Sequence, residues 1–488
     1  MSNVSLSNKE YLFIPLSILA LVIGAAFDNQ IVGLAITLGF GLFALWNTKA
    51  ALAFLFLYFP VRNFLIEFNP ALKGIGDIII LFSLLKVFYW YRKDWKSLFK
   101  FEWFEYAYFG FLAIGAVVAF FNDVSITAII FQIRAFVLFY LLYYIVKRIK
   151  VSQEDIKRAA WLVLITSIAI VIQGLVEKFS LRTMFLPQSW VDLGLSPKNA
   201  GRIYGLVGNP NMLAVYLSFS YLAIVHLKDQ ILGSRYMKIF LNITLVAIMG
   251  VWFLTYSRGT YIALGVAMVV YLIMTRNWQR FVHWAVVLVA GIVLIGLPTN
   301  MITAYVEGSN FGTEQKQKRQ IEGSNESLGD RLRGTFDEEE LESSRALGRL
   351  YIVNKGFDIY QDHPMVGTGF ATFGDSATLS YGSPIYEDYE IERRFYSDNQ
   401  YIQIIVQTGA IGVLLFAVYL LHMLYRTAKE HKNNSHFSAV MVSVLLGAFA
   451  AGMVYNIWEM DVFTLFFFPM LAFLLHARTL HSLKTEAY

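Results

Sequence analysis

Four short polar clusters in an otherwise apolar chain carry the residue types that chemistry requires. Arg202 precedes Gly208-Asn209-Pro210-Asn211. Arg258 sits in Tyr256-Ser257-Arg258-Gly259-Thr260. His363 opens His363-Pro364-Met365-Val366-Gly367-Thr368-Gly369, and Asp398 is followed by Asn399. An arginine binds phosphate through a planar fork of N–H donors and keeps its charge at any physiological pH. A carboxylate can take a proton from a hydroxyl, and a histidine can do acid or base work near neutrality. Arginines with one carboxylate therefore suit displacement of an anionic leaving group by a hydroxyl, the arginines neutralising the charge that develops. Such chemistry needs no metal, and no cluster of carboxylates on the side of the chain expected to face outward has a convincing metal-ligand spacing.

Each cluster also has a plain structural reading. Asn209, Asn211, Asp398 and Asn399 precede apolar runs, where Asn or Asp caps a helix. Arg258 could snorkel to lipid head groups. His363 fits a turn bonded to backbone. Arg62 and Arg134 lie inside apolar runs, where an arginine marks function or pairs with a carboxylate such as Glu67 or Asp77.

The elements that must hold these residues are membrane spans. The 488 residues are 57% hydrophobic and only 15% charged, with mean hydropathy +0.53, far from the roughly one quarter charged of a soluble domain. With no cysteine, thiolate chemistry and disulfides are excluded. Apolar runs of about 17–24 residues, long enough to cross a bilayer, centre on 11–27, 30–47, 50–67, 74–91, 104–121, 125–146, 158–176, 211–228, 236–256, 259–275, 281–298, 401–425, 437–455 and 461–477. The spacing predicts an all-α polytopic membrane protein of about 12–14 transmembrane helices, with a kink or break at Pro60 in the third run. No small-residue cleavage site marks the first run as a removable signal peptide.

Lys and Arg crowd alternate short loops: Arg92 to Lys100, Lys147 to Arg158, Lys228 to Lys238, Arg276 to Arg280, and Arg426 to Lys432. The positive-inside bias puts these loops and both termini in the cytoplasm, and the long segment 299–400 outside. The chain then divides into an N-terminal bundle (1–298), a large external loop (299–400) and C-terminal spans (401–488). Within the loop, Thr335 and Glu338 have capping-box spacing. Leu341, Leu350, Val353 and Phe357 make an apolar stripe, and Arg345 and Arg349 share a face four residues apart. Asp398, where the loop re-enters the membrane, is expected to face Arg202 and Arg258.

With Arg202, Gly208-Asn209-Pro210-Asn211, Tyr256-Ser257-Arg258-Gly259, Asp362 to Phe370 and Asp398-Asn399-Gln400-Tyr401 leading to Thr408-Gly409-Ala410-Ile411-Gly412 in this order, the chain resembles the O-antigen ligase/polymerase superfamily of bacterial envelope glycosyltransferases. The resemblance implies a GT-C-like membrane fold. It implies undecaprenyl-pyrophosphate-linked glycans as donor and acceptor at the outer face of the cell membrane, no cofactor, and a flippase or chain-length protein as partner. It assigns pyrophosphate contact to Arg202 and Arg258, and acceptor activation to Asp398. Asn209, Asn211, Arg345, Arg349, His363 and Asn399 are the candidate substrate-binding residues. Ligases of the superfamily carry a histidine where this chain has Asp398, so the resemblance favours a polymerase. A ligase moving finished glycan to an envelope acceptor is the enzyme rival. A lipid-linked oligosaccharide flippase is the non-enzyme rival, although it has less need of so long an external loop.

Overall fold

The structure is a computed structural model that describes residues 8–195, 197–231, 234–319, 348–392 and 394–476. Every apolar run found in the sequence is a helix, and no strand occurs among the described residues. In hydrocarbon, backbone N–H and C=O groups must bond within the segment, which leaves the helix as the form available to such runs. Among the described residues nine helices are long and apolar enough to cross a membrane, and four shorter apolar helices accompany them. Asparagine opens many of them. Asn29, Asn47, Asn209, Asn399 and Asn434 each accept a hydrogen bond from the first turn of the helix that follows, satisfying donors that have no intrahelical partner.

Two sequence expectations change. The third span runs unbroken as Thr48–Phe68, with Pro60 buried inside it. Membrane helices tolerate such a proline because neighbouring groups take up the freed carbonyl. In the 299–400 segment a helix forms at Arg349–Asp362, but its buried face is Ile352, Gly356 and Ile359. Leu350 and Phe357 are exposed. Gly356 decides this, because the absence of a side chain lets Ile402 come close: a Cβ there would lie 2.4 Å from its Cγ1. Thr335, Glu338, Leu341 and Arg345 lie outside the described residues.

The chain packs as two units. The first comprises Met1–Trp90, Val151–Ser257 and Val282–Glu326. In it, Arg62 donates to the Lys73 carbonyl and sits over the Phe59 ring, and Glu67 accepts from the Ser189 hydroxyl at 2.5 Å.

The second unit comprises Tyr91–Lys150, Arg258–Phe281 and Ser327–Tyr488. Its Gln400–Lys429 helix is kinked at Gly409, whose φ of 57° and ψ of −165° belong to a region open almost solely to glycine. The segment after His363 fills the kink. Thr368 and Gly369 N–H donate to Val406 and Gln407 carbonyls at 3.0 and 2.8 Å, and Ala410 and Ile411 N–H donate to Pro364 and Met365 carbonyls at 2.8 and 3.1 Å. Phe370 N–H then donates to Gly115 of the Trp103–Phe121 helix at 2.9 Å. The glycine-rich motif is thus a plug that ties the polar 299–400 segment to two spans.

Candidate functional site

In the first unit the cluster begins at the end of the Gln153–Phe179 helix. Glu177, fully buried, accepts from Tyr204 N–H at 3.2 Å and Gly205 N–H at 2.7 Å, and pairs with the Arg182 guanidinium. Lys178 donates to the Gly201 carbonyl. Opposite charges at a span end therefore fix the turn from Gly201 onward, in which Gly205 and Gly208 take positive φ. Arg202 is half-buried on this turn. Its Nε donates to the Thr255 carbonyl at 2.8 Å, and Nη2 donates to Asn211 Oδ1 at 2.6 Å. Asn211 Oδ1 also accepts from the Ser257 hydroxyl at 3.0 Å. The structure separates the two asparagines: Asn209 is the cap of the Pro210–Gln230 helix, and Asn211 holds the guanidinium. A fixed arginine fork of this kind is suited to an oxyanion.

In the second unit, Arg258 is exposed at the first position of the Arg258–Thr275 helix. A cation at a helix N-terminus opposes the macrodipole, so helix stability does not explain it. With the helix N–H groups it makes a surface favourable to anions. Gly259 lies against the connection between the last two described helices, Ser435–Ala451 and Asp461–His476. A Cβ on Gly259 would lie 2.5 Å from Val454 Cγ2 and 2.6 Å from the Tyr455 hydroxyl.

Asp398 precedes the Gln400–Lys429 helix and does not cap it. Asn399 does, accepting from Tyr401 and Ile402 N–H, each at 3.1 Å. Asp398 has a left-handed backbone, φ 46°, and its Oδ2 lies 3.9 Å from Arg349 Nη2, the two side chains being 43% and 50% exposed. A pair so open to water is worth roughly 0–1 kcal/mol. Arg349 also donates to the Val454 carbonyl at 3.4 Å. His363 ends the Arg349–Asp362 helix, its N–H bonded to Ile359 and its carbonyl to Gly367 N–H.

Below Asp398 lies a buried polar cluster that sequence reasoning missed. Gln400, Gln403 and Gln407 share one buried helix face. Gln407 donates to Asp375 at 2.5 Å and Gln403 donates to Glu459. Asp375 also caps the Ser376–Tyr381 helix, accepting from Thr378 N–H at 2.7 Å and Ala371 N–H at 2.8 Å. Burial pushes the Asp375 carboxyl up against the pull of these donors. Burial first, then the nearby Asp375 charge, pushes Glu459 up to about 7. The available signal was three glutamines at helical spacing in an apolar run.

Residues 243–417 match the family model described as O-antigen ligase, which supports the resemblance to the O-antigen ligase/polymerase superfamily. Arg258, Arg349, His363, Asp398 and Asn399 fall inside the match, and Arg202, Asn209 and Asn211 precede it. A comparison with curated proteins returned no match.

Proposed function

From an O-antigen-ligase-type domain in a multi-pass membrane protein, we propose that this chain polymerises an envelope polysaccharide at the outer face of the cell membrane. Donor and acceptor are lipid-pyrophosphate-linked repeats. In this reading the termini and the basic loops are cytoplasmic and the 299–400 segment is external. Asp398 accepts the proton of the acceptor hydroxyl, whose oxygen forms a bond to the anomeric carbon. The bond from that carbon to the pyrophosphate oxygen breaks, and the leaving group departs on its lipid. One displacement inverts the anomeric centre, and no metal is required. Arg202 and Arg258 stabilise the departing pyrophosphate. Arg349, Arg394 and other external arginines suit an anionic repeat, such as the uronic-acid repeat of a teichuronic acid.

The observation that carries the reading is Asp398 itself. It is relieved of capping by Asn399, held in a left-handed backbone, half-exposed and paired only loosely to Arg349. An acid that leaves the capping to its neighbour and stands partly open to solvent suits general-base work. Transfer of finished glycan to another carrier uses the same donor chemistry, and product length separates the two. The test uses the lipid-linked repeat that accumulates in cells lacking this protein, supplied to purified protein without added metal. Wild type is expected to give a ladder of products. Asp398→Asn is expected to slow it by about 10²–10⁴-fold, and an undiminished ladder from this variant would remove Asp398 from the mechanism.

A further inference from the structure

The residues on either side of Asp398 are themselves held in place. Both are fastened to one amide, that of Asn456, in the connection between the last two described helices. Asn456 Oδ1 accepts from the Ser397 hydroxyl at 2.8 Å and from Asn399 N–H at 3.1 Å. Its Nδ2 donates to the Gly374 carbonyl at 3.2 Å, and Ser397 N–H donates to that same carbonyl at 2.8 Å. Asn456 and Ser397 are 2% and 1% exposed. Both amide atoms are thus used, and both bonds accepted by the oxygen straddle the candidate base.

The surrounding connection repeats the pattern. Gly452 accepts from Gln400 N–H at 2.8 Å, and Trp458 N–H donates to Gln400 Oε1 at 3.0 Å. Val454 accepts from Arg349 and touches Gly259, the neighbour of Arg258. A left-handed backbone at a non-glycine residue costs about 1–2 kcal/mol, and it persists where surrounding bonds over-determine it.

We propose that Asn456 is a positioning residue that holds the residues on both sides of Asp398, Ser397 by its hydroxyl and Asn399 by its backbone N–H, and so aims the carboxylate at the acceptor hydroxyl. This rests on Asp398 being the base. The amide's bonds go to Ser397, Asn399 and Gly374, so its part is to set geometry.

The test is kinetic, with purified full-length protein and the lipid-linked repeat accumulated by cells lacking it. Asn456→Ala is expected to lower kcat by about 10- to 100-fold, the scale of a displacement of about 1 Å in a reacting group, while KM for the donor stays within about twofold. In an Asp398→Asn background it is expected to cost nothing further, because the group it aims is gone. Ser397→Ala removes one of the two straddling bonds and is the gentler probe. It is expected to lower kcat by roughly 3- to 10-fold with KM unchanged, and it decides the matter if Asn456→Ala does not fold. Wild-type kcat in Ser397→Ala, or a full further loss from Asn456→Ala on the Asp398→Asn background, overturns the positioning role. If Asp398→Asn itself is fully active, the base assignment fails instead, and that outcome is read from the single variant alone.

Discussion

Gly409→Ala tests whether the glycine-rich motif is a structural plug. At φ 57° and ψ −165°, a Cβ carries a strain of about 1–3 kcal/mol. It would also land 2.5 Å from the Met365 carbonyl carbon and 2.6 Å from both Gly367 N and Met365 O. All three are backbone atoms, so relief requires the plug to move, at a further cost of about 1–3 kcal/mol. The four hydrogen bonds joining the plug to the kink then stretch together. The sum, roughly 2–6 kcal/mol, is a large part of a usual 5–15 kcal/mol of stability. At about 2–4 °C per kcal/mol for a unit of this size, the unfolding temperature in detergent should fall by on the order of 5–20 °C. Gly265→Ala is the matched control in the same unit. Nothing lies within 4 Å of its added Cβ, and the gain in helix propensity makes it neutral or stabilising by up to about 1 kcal/mol. Equal unfolding temperatures for the two variants would refute the plug.

Other predictions address the polar clusters. Burial raises Glu459 from 4.5 to about 7, so the fold favours its protonated form. That contribution is complete below about pH 4.5 and is lost as pH rises through about 7. Glu459→Gln should therefore show a flatter unfolding temperature across this window than wild type, and parallel curves would contradict the assignment. Glu177→Gln leaves Arg182 without its buried carboxylate and should destabilise by about 3 kcal/mol. Adding Arg182→Met should restore much of that in thermal unfolding, whereas a purely additive double variant would argue against their pairing. Arg258→Ala and Arg202→Ala should each reduce kcat in the ladder assay by on the order of 10²-fold. Arg202→Lys, which cannot reproduce the fork, should recover little.

The spans were legible because length and apolarity suffice to specify a membrane helix, and the asparagine caps mark several starts. Pro60 misled because a rule for water-soluble helices was applied to one packed among others. On the Arg349–Asp362 helix two apolar stripes compete, and only the contact of Gly356 with Ile402 chooses between them. At Asp398-Asn399 both residues can cap, and one residue in the helix start decides which does. The site residues were visible as types in the sequence, but their restraints were not. Asn456 sits 58 residues from Asp398 in the sequence, inside a stretch that reads as a mere connection between apolar runs. The Gln400, Gln403 and Gln407 face was readable, but its carboxylate partners come from separate segments.

The Asn456 clamp also has a consequence in time. A ribosome releases the chain from its N-terminus, so Asp398 emerges well before Asn456. Until the segment between the last two described helices has been made, Ser397 and Asn399 lack the amide that joins them. A nascent or prematurely terminated chain therefore has the acid but not its aim. On the proposed reading, emergence of the segment that carries Asn456 is a condition of aiming Asp398, so a chain stopped short of it would be unable to turn over its substrate.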